Sequence, residues 1–249
     1  MADQLRAVVI GASSGVGRAI AEGLAAAGAS LVIASRDATD LEKLAFHLRL
    51  TTSTSVRPTA FDLRCSPSEA KEFCSSCVEN LGSVDALFLA AAQVSDEDCR
   101  LTPGDVAENL ICVDLLGPIH VLTAFARVLE IQRNGTIVVF SSVAAPVPRR
   151  NNVVYSSSKM GLEGFCRGIR HHLVKFGVRV QIYRLGYVDT SMAAGRSRLL
   201  PKAKPEAVAH HVIRRLRKDF GLAYYPRYWR SIIFALQRIP WFLYRRLEF

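Results

Sequence analysis

The sequence predicts one doubly wound α/β domain: a parallel sheet of about seven strands with helices on both faces, followed by a short amphipathic helical tail. Three observations predict it. Short, β-rich apolar runs alternate with longer helical patterns along the chain. Runs such as AVVI and IVVF are apolar without alternation, as strands covered on both faces require. The first run feeds a glycine-rich turn that opens a helix. Strands separated by helices of this length imply right-handed βαβ crossovers.

The elements carry motifs in order. The first strand, Leu5–Ile10, runs into Gly11-Ala12-Ser13-Ser14-Gly15-Val16-Gly17 and a helix near 16–27. The glycines let the backbone turn tightly and approach a phosphate, and the helix start offers N–H groups and the positive dipole end to an anion. The second strand, Ser30–Ala34, ends Ala34-Ser35-Arg36 before a helix near 39–49. A site selective for NAD places a carboxylate there for the ribose 2′-hydroxyl; an arginine suits a 2′-phosphate, so Arg36 points to NADP. The alternative for Arg36 is a solvated surface residue beside Asp37. Asp62 follows the third strand, Val56–Phe61, and is placed to meet the adenine edge. Cys74 and Cys77 form a CxxC inside a helix near 67–80. A redox or zinc site would want a helix start or a second ligand pair, so these read as two thiols one turn apart.

After the fourth strand, Val84–Ala90, comes one long helix near 105–130. The fifth strand, Gly135–Phe140, ends in Ser141-Ser142, and 13 residues after Ser142 comes Tyr155, opening Tyr155-Ser156-Ser157-Ser158-Lys159 in a helix near 154–176. Tyr155 and Lys159 share one helical face. A phenol with an ordinary pKa near 10 exchanges protons poorly at neutral pH, and a nearby ammonium favours phenolate. A Ser142 hydroxyl at the strand end would hold a substrate oxygen against that phenol. The sixth strand, Val178–Leu185, and a short seventh at Leu222–Tyr225 complete the domain at about 226; residues 227–249 form the tail.

Composition sets the bounds. The 249 residues are 50% hydrophobic and 22% charged, which excludes disorder as the main state. No run of about 18 uninterrupted apolar residues predicts a single-pass anchor, and Leu5–Ile10 is too short for a secretory leader. Six cysteines without framework spacing point to a reducing compartment, the cytoplasm. His171-His172 and His210-His211 are adjacent on helices and point different ways, so no metal site is expected. The net charge of +10 is uneven: residues 1–100 carry 9 Lys or Arg against 13 Asp or Glu, residues 201–249 carry 11 against 3. The C-terminal region is thus suited to an anionic surface or substrate; no nucleic-acid recognition motif accompanies it.

These motifs resemble the short-chain dehydrogenase/reductase family over nearly the whole chain, including Leu185-Gly186-Tyr187-Val188-Asp189-Thr190. The resemblance implies a Rossmann-type fold binding NADPH or NADP, with Tyr155 as general acid/base. Lys159 would bind the nicotinamide ribose and lower the Tyr155 pKa, and Ser142 would position the carbonyl. Val188 and Thr190, after Gly186, would bind the carboxamide. It implies Gly11, Ser13, Ser14, Gly15, Val16, Gly17, Arg36, Asp62, Leu63, Ala90 and Ala91 as cofactor contacts, and a homodimer or homotetramer. The chain departs from the pattern in three places. Ala90-Ala91-Ala92-Gln93 stands for NNAG, Leu185 for a proline, and Asp114 for the asparagine of a proton-relay water. Asp is isosteric with Asn but, when ionised, is an acceptor only; Asp114 would stand in the relay position as a catalytic residue, its charge supporting a relay while competing for Lys159 and raising the Tyr155 pKa.

Arg149-Arg150-Asn151-Asn152 before Tyr155, with the ending Tyr225-Pro226-Arg227-Tyr228-Trp229 … Ile239-Pro240 … Tyr244-Arg245-Arg246-Leu247, is similar to bacterial reductases like the keto-sugar reductase component of decaprenylphosphoryl-ribose 2-epimerase. That resemblance implies a keto-sugar on a polyprenyl phosphate as substrate and a flavin oxidase as partner. Other expected substrates are 3-oxoacyl, steroid-like or xenobiotic carbonyls; a reading of another class is a catalytically impaired NADPH-binding partner subunit. In the tail, Tyr228, Trp229, Ile232, Ile233, Ala235 and Leu236 share one helical face and Arg227, Arg230, Ser231, Gln237 and Arg238 the other, with Phe234 on the basic side. The open roles are a peripheral contact with the cytoplasmic face of a membrane, or packing on the chain's own domain or on a second subunit.

Overall fold

A computed structural model describes residues 4–98, 105–190 and 201–246; Cys99 and the tail's last residues, 247–249, lie outside them. Seven parallel strands are ordered β3-β2-β1-β4-β5-β6-β7. They are β1 (Arg6–Ile10), β2 (Ser30–Ser35), β3 (Val56–Ala60), β4 (Ala86–Leu89), β5 (Gly135–Ser142), β6 (Val178–Leu185) and β7 (Leu222–Tyr225). The order reverses between β1 and β4, which opens a crevice at the carboxyl ends of the strands. This is the predicted doubly wound Rossmann-type fold.

One face of the sheet is covered by α1 (Gly15–Ala26), α2 (Ala38–Thr52) and α7 (Pro205–Ile213), through residues such as Ile20, Leu24, Leu41, Leu44 and Val212. The other is covered by α3 (Pro67–Leu81), α5 (Gly117–Gln132) and α6 (Val153–Leu173), through Phe73, Val121, Phe125, Leu129 and Leu162. α3 starts with a full capping box between Ser66 and Glu69 and Pro67 in its first turn. Cys74 and Cys77 are buried in the core beneath α3, and burial pushes the Cys74 thiol up to about 12. They are packing residues, as their place inside a helix predicts.

The long helix expected near 105–130 is three pieces: α4 (Asp105–Ile111), a π-helical turn (Cys112–Leu116) and α5. Pro118 supplies the reason. It has no N–H for the carbonyl of Asp114, and its ring would clash there in a regular helix. The chain inserts an extra residue, and the Gly117 N–H reaches back to Cys112 O. Gly117 also presses on the loop after β3: a Cβ would lie 1.7 Å from Leu63 O. By length and composition Asp105–Gln132 is apolar enough to cross a membrane. Here its apolar stripe, Leu110, Val113, Val121, Leu122, Phe125 and Leu129, is buried in the domain, the pattern of a core helix.

The tail contains α8 (Trp229–Leu236) and α9 (Trp241–Tyr244). Trp229 and Ile233 are buried against Val143 and Val147, with Ile232 and Leu236 beside them. The apolar face is narrower than expected: Tyr228, the N-cap of α8, is exposed, as is Ala235. Phe234 lies outside, with the Arg238 guanidinium 3.3 Å from its ring centroid.

Candidate active site

The nucleotide end is built from main chain. β1 ends at Ile10, and Gly11 turns with φ +86°. A Cβ on Gly11 would sit 2.4 Å from Ala91 N, so both conformation and contact demand glycine. α1 then begins with Ser14 as an N-cap whose side chain makes no capping bond, and its first turn holds no acidic residue. Its leading N–H groups and positive dipole end are left for an external anion. Gly11, Ser13, Ser14, Gly15 and Val16 line one cleft of about 1170 Å³, a volume that suits a dinucleotide with a small substrate. Ala90, Ala91 and Leu63 line the same cleft. Gly17 does not: a Cβ there would meet Gly11 O at 2.1 Å, so Gly17 seats α1 against the turn rather than facing the cleft.

Arg36, exposed, stands on the cleft wall at the end of β2. Its neighbour Asp37, on the same wall, accepts the Asp40 N–H at 3.0 Å to cap α2. Asp62 accepts the Arg64 N–H at 2.9 Å and its guanidinium Nη2 at 2.6 Å. Partial burial pushes the Asp62 carboxyl up, but these bonds outweigh it and hold it below the usual range.

The chemical end is built from buried charge. Ser142, Tyr155 and Lys159 line the cleft with Gly186, Val188 and Thr190. Ser142 Oγ accepts the Ala144 N–H at 3.1 Å, which leaves its hydroxyl hydrogen to donate to a substrate oxygen. The Lys159 ammonium is 5.7 Å from the Tyr155 ring centroid. It is only 3.1 Å from Asp114 Oδ1, and the two side chains are 2% and 0% exposed. Asp114 therefore does not line the cleft; it sits behind Lys159, on the π-turn. Burial pushes Lys159 down, but Asp114 and Tyr155 outweigh burial and hold the ammonium above the ordinary lysine value. Burial also raises Asp114, against the pull of Lys159 and of the Gln93 N–H, which donates to Oδ1 at 3.0 Å. An unpaired ion this deep would cost several kcal/mol, so each charge depends on the other.

Sequence reasoning missed two supports. α6 has no side-chain cap from Asn152. Its first N–H groups, Val154 and Tyr155, instead donate to the two carboxylate oxygens of buried Asp98, at 2.8 and 3.0 Å. Nothing in Asp96-Glu97-Asp98 singles out the third carboxylate, since its partners lie 56 and 57 residues away. Beneath Ser142, Glu163 of α6 accepts from Ser141 Oγ at 2.7 Å and from Arg184 Nε at 2.8 Å, and Arg184 Nη1 reaches Tyr224. This network pins α6 to β5, β6 and β7.

The histidines take no part: His172 faces Glu130, and His211 packs on Tyr183 and Tyr225. Among the described residues, no cluster of three metal-ligating side chains occurs.

The pattern of the family described as short chain dehydrogenase matches residues 6–199. The chain belongs to the short-chain dehydrogenase family. It is 32% identical over 240 residues to an uncharacterized oxidoreductase of Mycobacterium tuberculosis, covering 96% of each chain. It is 33% identical over 246 residues to an uncharacterized oxidoreductase of Streptomyces coelicolor, covering 96% of this chain and 94% of that one. Its fold is similar to an alcohol dehydrogenase from Thermococcus sibiricus, solved with 5-hydroxy-NADP, with TM-score 0.78, 27% identity, and 89% and 95% of the two chains covered. As a family member it is an NAD(P)-dependent oxidoreductase acting on alcohol and carbonyl groups. The uncapped α1 terminus, the glycine at its turn and the cleft volume fit a dinucleotide.

Proposed function

We propose that the protein is an NADPH-dependent reductase that converts a carbonyl to an alcohol. The observation carrying this reading is that Ser142, Tyr155 and Lys159 share one cleft with the uncapped start of α1 and with Arg36. The nicotinamide supplies hydride when bound. Ser142 donates its hydroxyl hydrogen to the carbonyl oxygen and fixes it. Tyr155 holds the proton that this oxygen takes as it becomes an alcohol. Lys159 binds the nicotinamide ribose and stabilises the phenolate left on Tyr155. Val188 and Thr190 meet the carboxamide. Arg36 selects NADPH by bonding the 2′-phosphate, since no carboxylate stands at Ser35 to select NADH.

For the substrate, an anionic carbonyl compound is favoured by Arg149, which lines the cleft and donates to Tyr187 Oη at 3.0 Å. A keto-sugar carrying a polyprenyl phosphate, made by a flavin oxidase, meets that requirement; a steroid or xenobiotic ketone does not need Arg149, and a 3-oxoacyl group would use it only through the phosphate of its carrier. Neutralising Arg149 should raise KM for a phosphorylated keto-sugar at least tenfold and leave KM for a neutral diketone unchanged; equal effects on both would remove the anionic substrate class.

One observation favours a second reading, an NADPH-binding partner subunit without turnover: Asp114 holds Lys159 in a direct ion pair. Tight NADPH binding without oxidation of NADPH across a panel of reactive carbonyls would establish that reading and refute the reductase.

A further inference from the structure

Between residues 227 and 246 the chain has five arginines and no aspartate or glutamate. Within that segment α8 commits Trp229 and Ile233 to the core and leaves Phe234 57% exposed. α9 buries none of its residues: Trp241 is 72%, Phe242 57% and Leu243 46% exposed. Single exposed apolar residues are ordinary, but a cluster rimmed by charge of one sign marks a surface for a partner. The tip is also held in place. Tyr244 Oη donates to Pro148 O at 2.6 Å and Gln237 Nε2 to Pro146 O at 3.3 Å, so α8 and α9 hang on the β5–α6 connection.

We propose that the α8–α9 tip is a docking surface for an anionic lipid bilayer. Trp241, Phe242 and Leu243 suit the interfacial layer, where an indole sits with its ring among acyl chains and its N–H among headgroups. Arg245, Arg246 and Arg238 supply the charge that anionic headgroups require, and Arg238 stacks on Phe234 so that cation and ring are presented together. A second copy meeting this face across a twofold axis would bring the same arginines against these, with no carboxylate in the segment to offset them. Docking brings Pro148 and the adjacent cleft-lining Arg149 to the headgroup layer, so the cleft is served from the membrane surface.

The test uses the full-length protein and two vesicle preparations, phosphatidylcholine alone and phosphatidylcholine with about 30% phosphatidylglycerol. The expected result is co-sedimentation with the anionic vesicles only, lost at high salt, with a blue shift of tryptophan emission from the exposed Trp241. Arg245→Gln with Arg246→Gln should lower the partition coefficient about 25-fold, at about fivefold per charge. Trp241→Ser with Phe242→Ser should abolish the blue shift with the melting temperature unchanged, because neither residue joins the core. Absence of binding, equal binding to both preparations, or binding indifferent to these substitutions overturns the proposal. So does a lipid-free dimer, seen by sedimentation velocity, that the Trp241 and Phe242 changes dissociate. None of these outcomes bears on the reductase reading, which vesicle binding does not require.

Discussion

Where β1 meets α1, the cleft wall is backbone: Gly11 packed against Ala91 N, and helix N–H groups left without a side-chain cap. Where β5 meets α6, it is side-chain charge taken out of water: Lys159 on Asp114, Glu163 on Arg184, and the start of α6 on Asp98. The chain turn and helix start of the first end come from one run of seven residues, Gly11 to Gly17, with Ala91 packed against it. The second depends on pairs drawn from separate crossovers. A backbone site fails when one methyl is added; a charge site fails when one partner is neutralised and the other is left buried.

The largest effect expected from breaking this contrast is at the phenol. Tyr155→Phe should lower turnover of a reactive diketone by about a thousandfold, within the usual range for a lost acid/base group, with the NADPH dissociation constant changed little. Normal turnover would remove Tyr155 from the chemistry.

At the other end, Arg36→Ala should weaken NADPH binding about 10- to 100-fold, the loss of charge-assisted bonds worth about 1.5–3 kcal/mol, and leave NADH nearly unchanged. Fluorescence titration with both nucleotides decides it; equal loss would mean that Arg36 does not read the 2′-phosphate.

Asp98→Ala should reduce kcat about tenfold and lower the melting temperature, because two part-buried N–H groups at the start of α6 lose their acceptor at about 1–3 kcal/mol. NADPH affinity should fall by much less than kcat, because among the described residues the α1 end of the cleft, which holds the phosphates, shares no bond with Asp98. A parallel loss of cofactor binding would show that the two ends are not independent.

The smallest and most diagnostic effect is a pH dependence. Lys159 lies above the ordinary lysine value in the fold. Its contribution to stability is fully present below that ordinary value and is lost as pH rises through the raised one. The melting temperature should therefore fall in the alkaline window above about 10.5. Asp114→Asn removes the partner that raises Lys159, so the variant should be less stable at neutral pH and lack that alkaline fall. Without Asp114, burial favours the neutral amine of Lys159, which supports phenolate less well, so the alkaline-favoured limb of alcohol oxidation should move to higher pH. A profile indifferent to Asp114→Asn would separate the ion pair from proton transfer.

Much of this was legible in the chain itself. Continuous apolar runs between helical stretches announced a parallel sheet, and strand–glycine–helix announced an anion site, because both signals are local: a side-chain period and a turn that only glycine makes. Tyr155 and Lys159 declared a shared face because helical spacing fixes it. Some local information was present but unread. Gly117-Pro118 forbids a regular helix across 105–130, and Gly17 falls inside the first turn of α1, where it packs rather than faces the cleft.

The tertiary structure decided the rest. Composition showed that the tail is amphipathic, but only the fold could say that Trp229 and Ile233 turn inward while Trp241 and Phe242 do not. The family resemblance placed Asp114 near Lys159; the π-turn and the packing of α5 on α6 set it 3.1 Å away and out of the cleft. Asp98 could not be chosen from three successive acidic residues, because what selects it is an uncapped helix brought beside it from 56 residues away. Periodicity and turn chemistry act within a few residues and are written along the chain. The pairing of a buried charge is set by which crossovers the sheet brings together, and that information exists only after folding.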